Sequence, residues 1–250
     1  MEINEIYQGD SAKLMKEIPN NFIDLTVTSP PYDNLRDYKD YSFDFENIAK
    51  ELYRVTKDGG IVVWVVGDAT INGSETGTSF RQALYFKVIG FNLYDTMIYR
   101  KQNPIPNNSL RYTQSFEYMF VFSKGVPKTF NPILEDCIHK GKKASRTIIG
   151  RSGIRKHQSL KGVYGEKKKH QNIFTYIVGS LKEKKWVHPA KFCEQLAVDH
   201  ILSWSNEGDL IFDPMCGSGT TLMVAKKLKR RYLGFEIAKE YVEIIKRRLH

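Results

Sequence analysis

Six short runs of near-continuous apolar character constrain this chain more than any other feature. They are "FIDLTVT" (22–28), "GIVVWVVG" (60–67), "NLYDTMIYR" (92–100), "EYMFVFS" (117–123), "DLIFD" (209–213) and "RYLGFE" (231–236). Their β-branched and aromatic content, without a clean polar alternation, predicts strands covered on both faces. Helical patterns lie between them. "FDFENIAKELYRVTK" (43–57) sets Ile48, Leu52 and Val55 on one face. "TSFRQALYFKVIG" (78–90) offers Thr78 or Ser79 as an N-cap and Gly90 as a stop. "AKFCEQLAVDHILSWS" (190–205), "TTLMVAKKLKR" (220–230) and "AKEYVEIIKRRL" (238–249) complete the set, the last two ending in bases that suit helix C-termini. Strand alternating with helix is the signature of the α/β class.

Residues 124–187 break this rhythm. Between 139 and 185 there are 14 Lys/Arg and two acids, a local charge of +12; the other residues have 24 bases and 26 acids. One segment therefore carries the basic character of a 250-residue chain whose net charge is +10. Such a block is either a solvated loop or the footprint of a polyanion partner, most often nucleic acid. No apolar run approaches bilayer length, and the acidic N-terminus "MEINEIYQGD" lacks a secretory h-region. Cys137, Cys193 and Cys216 are far apart, with neither CxxC spacing nor a metal cluster, so no metal and a reducing, cytoplasmic compartment are expected.

Two turns carry the chemistry. "DLIFDPMCGSGTTLMVAKKL" reads strand, glycine turn, helix. Gly217 and Gly219 allow close backbone approach to a ligand, and a helix N-terminus favours polar or anionic groups. The turn is neither a P-loop, lacking the lysine, nor a full GxGxxG, since residue 222 is Leu. Alone it is weak evidence. Its context adds Glu236 at the end of the next strand, 19 residues after Gly217, about where nucleotide-binding α/β folds place an acid on the ribose hydroxyls. Only 29 residues follow Thr221, so the rest of the sheet must come from upstream. That order opposes an NAD-dependent dehydrogenase, whose glycine turn lies in the first βα unit. The second turn is "TSPPY", directly after an apolar run. An isolated Pro-Pro corner is usually plain turn; "PPY" is also a ligand for polyproline-recognition modules, but a buried strand before it makes a poor exposed ligand.

Together, "TSPPY" and "FDPMCGSGTT" resemble the S-adenosylmethionine-dependent amino-group DNA methyltransferases, which methylate an exocyclic amine of cytosine or adenine. The order Ser-Pro-Pro-Tyr, variable region, glycine motif resembles the circularly permuted β group, over nearly the whole chain. The resemblance implies a circularly permuted Rossmann-like methyltransferase fold: a mixed, mostly parallel sheet with helices on both faces, plus a basic insert. Residues 1–123 would form the catalytic half, 124–187 the target-recognition insert and 188–250 the cofactor half. Ser29, Pro30, Pro31 and Tyr32 match the catalytic tetrapeptide. Asp213, Gly217, Ser218, Gly219, Thr220 and Thr221 match the cofactor loop, and Glu236 the ribose acid. "HPAKF", with His188, Pro189 and Phe192, resembles the segment beside the methionine moiety, and Asp10 after Gly9 the adenine-side acid. Cys216 is assigned no chemistry.

The resemblance makes double-stranded DNA the expected partner. Lys140, Lys142, Lys143, Arg151, Arg155, Lys167, Lys168 and Lys169 would then contact mainly phosphates. Asn34, Arg36 and Tyr38 are expected in a loop over the flipped base. Trp64 and Trp204 read as core, His200 as a core or surface histidine and not a ligand, and Asp68 as either scaffold or site lining. "SPPY" goes most often with cytosine 4-amino methylation and "DPPY" with adenine 6-amino methylation, so cytosine is favoured and adenine is the alternative. A DNA-binding regulator that kept the fold is a further alternative, opposed by the intact tetrapeptide. A homodimer is compatible with the resemblance. The chain reads as a lone methyltransferase or half of a restriction–modification pair, nucleoid-associated.

Overall fold

A computed structural model describes residues 1–31, 43–106, 110–149, 155–177 and 193–249. In chain order the elements are β1 (Glu5–Gln8), α1 (Ser11–Leu14), β2 (Ile23–Thr28), α2 (Phe45–Val55), β3 (Thr56–Val66), β4 (Thr70–Ile71), β5 (Ser74–Glu75), α3 (Thr78–Val88), β6 (Asn92–Lys101) and β7 (Phe116–Ser123). They continue with β8 (Leu134–Asp136), β9 (Lys143–Ile149), β10 (Arg155–Val163), β11 (Lys167–Lys169), β12 (Ile173–Tyr176), α4 (Glu194–Trp204), β13 (Leu210–Asp213), α5 (Thr220–Lys227), β14 (Arg231–Glu236) and α6 (Lys239–Leu249).

Eight strands form one sheet in the order β1-β14-β13-β2-β3-β7-β6-β12. Only β7 runs antiparallel to its neighbours. The first strand of the chain pairs in parallel with the last, Glu5 opposite Leu233 through Gln8 opposite Glu236. This pairing is the permutation in structural form: the unit β13-α5-β14 comes last in sequence but is closed at its edge by the N-terminal strand. Helices cover both faces. On β3, Ile61, Val63 and Val65 join the core under α4, α5 and α6, while Val62, Trp64 and Val66 join the core under α2 and α3. The twofold period of a strand explains the split, and burial on both faces explains the unbroken apolar run.

The α/β class and the mixed, mostly parallel sheet expected from the sequence are present. Several details differ. Thr78 and Ser79 do not cap α3; Gly77 holds the N-cap in left-handed backbone (φ 64°) and the cap is supplied from a distance by Asp68. Strand β1 was not read from the sequence, because four residues carry too little pattern.

The chain divides into two compact units, residues 1–131 with 172–250, and residues 132–171. The second is narrower than the 124–187 segment marked by its charge. "NIFTYIVG" supplies β12, which pairs with β6 from Ile173 opposite Ile98 to Tyr176 opposite Lys101 and so belongs to the main sheet. The small unit consists of the antiparallel pairs β9–β10 and β8–β11. Among the described residues no helix is long and apolar enough to cross a membrane.

Candidate active site

From β13 the chain proceeds through α5 to β14 on one side; from β2 it proceeds through α2 to β3 on the other. The topology therefore switches between β13 and β2. Open α/β sheets bind ligands in the crevice outside the C-terminal ends of such strands. Both sequence motifs end there: β2 runs into Ser29-Pro30-Pro31 and β13 into the glycine turn.

The two strand ends are locked together. Thr28 Oγ1 donates to Asp213 Oδ1 at 2.8 Å, and Asp213 also accepts from the Met215 amide at 3.1 Å. Thr221 Oγ1 donates to the Val27 carbonyl at 3.2 Å. Asp213 is 4% exposed. Burial pushes its carboxyl up to about 6, against the lowering effect of its hydrogen bonds. Thr220 and Thr221 are buried, whereas Gly217 and Ser218 are part-exposed on the loop.

The loop's backbone follows from its glycines. Gly217 and Gly219 have φ of 52° and 78°. A Cβ on Gly219 would lie 2.8 Å from Ile245 Cγ1, so α6 packs directly on the start of α5. Arg248 of α6 donates to the Ser218 carbonyl, fastening the loop from the same side.

Glu236 ends β14 at the same sheet edge. Its two oxygens accept from the Gly217 amide at 2.8 Å and the Ala238 amide at 2.9 Å. Burial raises its pKa while those amides oppose the rise. With the Ile237 amide also donating, the carboxylate still has acceptor capacity for an external hydroxyl. The Gly9 amide donates to the Glu236 carbonyl at 3.0 Å, placing the Gly9–Asp10 turn beside it. Asp10 itself N-caps α1, accepting from Lys13 N at 3.2 Å, and Ser11 Oγ donates to the Pro214 carbonyl. A glycine-lined turn without lysine, next to an amide-anchored carboxylate, has the donor set for a nucleoside with ribose hydroxyls and not for a polyphosphate. These residues fit S-adenosylmethionine.

Asp68, at the end of β3, accepts from the Ser79 amide at 2.9 Å, from Ser79 Oγ and from Thr76 Oγ1 at 3.3 Å. It holds the start of α3, a role without a local sequence signal. His200 is 2% exposed with Nε2 3.3 Å from Met119 Sδ, and burial lowers its pKa to about 3. Trp64 and Trp204 are core, and burial pushes the Cys216 thiol well up. Tyr32, His188, Pro189, Phe192 and Arg151 lie outside the described residues, as do Asn34, Arg36 and Tyr38. In the small unit Lys140, Lys142, Lys143, Arg155 and Lys167–Lys169 are all exposed. Lys167 pairs with Asp136 at 2.7 Å and Lys168 with Glu135 at 2.9 Å.

The fold and the two locked motifs define an amino-group methyltransferase of the α/β class. The chain belongs to the DNA methylase family of N6 and N4 methyltransferases, matched over residues 23–247. It is 52% identical over 252 residues to the orphan methyltransferase M.BamHII of Bacillus amyloliquefaciens, covering 94% of this chain and 92% of that protein. It is 28% identical to the type II methyltransferase M.BglII of Bacillus subtilis, covering 97% of this chain and 68% of that protein. Two solved structures share the fold. The cytosine-N4-specific PvuII DNA methyltransferase superposes with a TM-score of 0.71 at 22% identity, over 98% of this chain and 85% of that one. The M1.HpyAVI complex with S-adenosylmethionine superposes with a TM-score of 0.67 at 22% identity, over 98% of both chains.

Proposed function

We propose that this DNA methyltransferase acts on the exocyclic 4-amino group of cytosine, at a specific site in double-stranded DNA, on a base turned out of the helix. The single observation that supports the reading best is the Thr28–Asp213 lock, which holds Ser29-Pro30 against the start of the glycine turn.

When bound, S-adenosylmethionine supplies an electrophilic methyl group on a sulfonium. The residues of this chain do the rest. An exocyclic amine is a poor nucleophile because its lone pair is delocalised into the ring. Ser29 Oγ and the Pro30 carbonyl accept its N–H bonds and so return density to the nitrogen. Pro30 suits the task because its φ is locked, and it is buried, so its carbonyl has little freedom. Tyr32 offers a face for stacking the extruded base. Rate then comes from orientation rather than from a general base, in keeping with the absence of His or Cys from the tetrapeptide. Glu236 accepts the ribose hydroxyls, Asp10 serves the adenine side, and His188, Pro189 and Phe192 match the family's methionine-side segment by sequence. Gly217, Ser218, Gly219, Thr220 and Thr221 form the cofactor turn, which Asp213 shapes from within.

Cytosine is favoured over adenine by Ser29, a neutral hydroxyl that both donates and accepts, where a carboxylate would only accept. The basic unit at 132–171 is the target-recognition segment, with Lys140, Lys142, Lys143 and Arg155 on phosphates. The name of the 52%-identical relative, an orphan methyltransferase, supports an enzyme that works without a cognate nuclease.

The test is transfer of labelled methyl to unmethylated DNA, followed by mass spectrometry of the nucleosides, with Pro30→Ala as control. The expected product is 4-methylcytosine, lost in the variant. Production of 6-methyladenine alone overturns the base assignment; no transfer to any DNA favours a binding-only protein. Sequencing that maps modified bases in cells expressing the protein gives the site.

A further inference from the structure

Strands β2, β3 and β6 point the same way, because β7 is antiparallel to both β3 and β6. The described residues between Lys101 and Phe116, 102–106 and 110–115, therefore belong to the same sheet edge as Ser29 and the glycine turn. The neck of this loop is closed by the Lys101 amide, which donates to the Ser115 carbonyl at 2.7 Å. Residues 110–116 of this loop, with Asp68, Glu75 and Tyr118, line a cavity of about 580 Å³ beside the end of β3.

The loop is tied down next to this cavity. The Arg111 guanidinium donates to the Gly73 carbonyl in the β4–β5 turn and stands 3.9 Å from Glu75. That contact bridges two segments 38 residues apart and leaves Arg111 engaged with protein. The preceding side chain, Leu110, stands on the border of the same cavity. Leu110 is fully exposed, at 108% relative accessibility, and Ile71 on the tethered hairpin is 53% exposed. Tyr112, also on the cavity's border, is as exposed at 101%, and both side chains adjoin the edge where the substrate must sit. A phosphate-binding rim would present free cations. This one presents a leucine beside an arginine already occupied.

We propose that Leu110 enters the DNA base stack and fills the space left by the extruded nucleotide, with the Arg111 bracket to Gly73 and Glu75 holding it at a fixed height. The inference rests on the methyltransferase reading above. Chemistry on an amino group inside a duplex requires extrusion of the base, and the lost stacking must be offset. Apolar side chains inserted between base steps do this in other DNA-binding proteins. A cavity for the turned-out residue with an exposed apolar side chain on its rim is the arrangement such a step needs.

The experiment is single-turnover methyl transfer by wild type, Leu110→Ala and Leu110→Met on three forms of the mapped site: matched duplex, duplex mismatched opposite the target base, and single strand. Leu110 is solvent-exposed, so the variants fold. Leu110→Ala is expected to slow transfer on matched duplex by about 10- to 100-fold, the scale set by an unstacking cost of a few kcal/mol. It should approach the wild-type rate on mismatched duplex and single strand, where extrusion is already cheap, and Leu110→Met should stay near wild type throughout. Equal rates for wild type and Leu110→Ala on matched duplex overturn the inference, as does an equal loss on all three substrates. Wild type failing on every substrate removes the underlying reading instead, which keeps the two failures apart.

Discussion

Thr28 and Asp213, 185 residues apart in sequence, share a buried hydrogen bond of 2.8 Å between the ends of β2 and β13. Each residue is the last of its strand, and each is followed directly by one of the two motifs. Thr28→Val keeps the volume but removes one partner of Asp213, leaving the Met215 amide and the Thr221 side chain. Losing one partner of a buried, charge-bearing acceptor costs about 1–3 kcal/mol. Urea denaturation should show that loss, and methyl transfer should fall further than stability alone explains, because both motifs lose their common anchor. Unchanged transfer at full folding would show that the lock does not matter to the reaction.

Two buried groups give opposite pH dependences. Asp213 has a folded pKa of about 6, above its ordinary value of 3.8, so the native state holds the proton more tightly. Its contribution is present below the unfolded pKa and is lost as pH rises toward 6, worth about 3 kcal/mol at most. His200 has a folded pKa of about 3, below 6.5. Its contribution is present above 6.5 and is lost as pH falls toward 3. Wild-type melting between pH 4 and 6 therefore sums two opposing slopes. Asp213→Asn should make stability rise more steeply with pH in that window, and His200→Gln should make it rise less or fall. Parallel melting profiles for all three proteins would refute the assignment.

Gly219 combines a left-handed backbone with contact to α6. Gly219→Ala should cost about 1–2 kcal/mol for the backbone conformation, plus the clash with Ile245. Adding Ile245→Ala removes Cγ1 and Cγ2, the atoms nearest the new methyl, and so relieves most of the clash but not the backbone strain. Calorimetric titration with S-adenosylmethionine should show weakened binding for the single variant and partial recovery for the double. Full recovery would mean that φ is not the limiting factor.

The lysines of the small unit are not equivalent. Lys167 and Lys168 hold acidic partners, whereas Lys140, Lys142 and Lys143 have no ion pair among the described residues. Replacing Lys140, Lys142 and Lys143 by alanine should flatten the dependence of log K on log salt, by about 0.9 for each phosphate contact removed. Replacing Lys167 and Lys168 should change that slope less. Fluorescence anisotropy across a salt series distinguishes the two sets, and equal slopes would place DNA elsewhere.

Much of the fold was legible because local period encodes it. "RYLGFE" is β14 residue for residue, and β3, β7, α3 and α6 fall within a few positions of their apolar patterns. The glycine turn and Glu236 were legible as a pair because their spacing of 19 residues is a property of one βαβ unit, and the structure joins them by the Gly217–Glu236 bond. Other assignments had no local signal. Asp68 caps a helix 11 residues away, a contact that depends on how the chain turns after β3. The edge strand β12 gave only the weak strand signal of "NIFTYIVG" inside a basic segment, and its partner β6, some 75 residues upstream, was not legible. Leu110 carries no pattern in the sequence; its exposure beside the cavity is a tertiary property.

The sequence by itself determined the alternation of strand and helix, the two motif turns and their permuted order. Those are short-range matters of side-chain period, proline geometry and glycine freedom. Tertiary structure decided which strand ends meet. β1 closes against β14 and β2 lies against β13 because apolar strands must be covered on both faces and must satisfy their backbone hydrogen bonds with neighbours from anywhere in the chain. The Thr28–Asp213 lock, and the single crevice it makes of two distant motifs, follow from that pairing and from no pattern local to either.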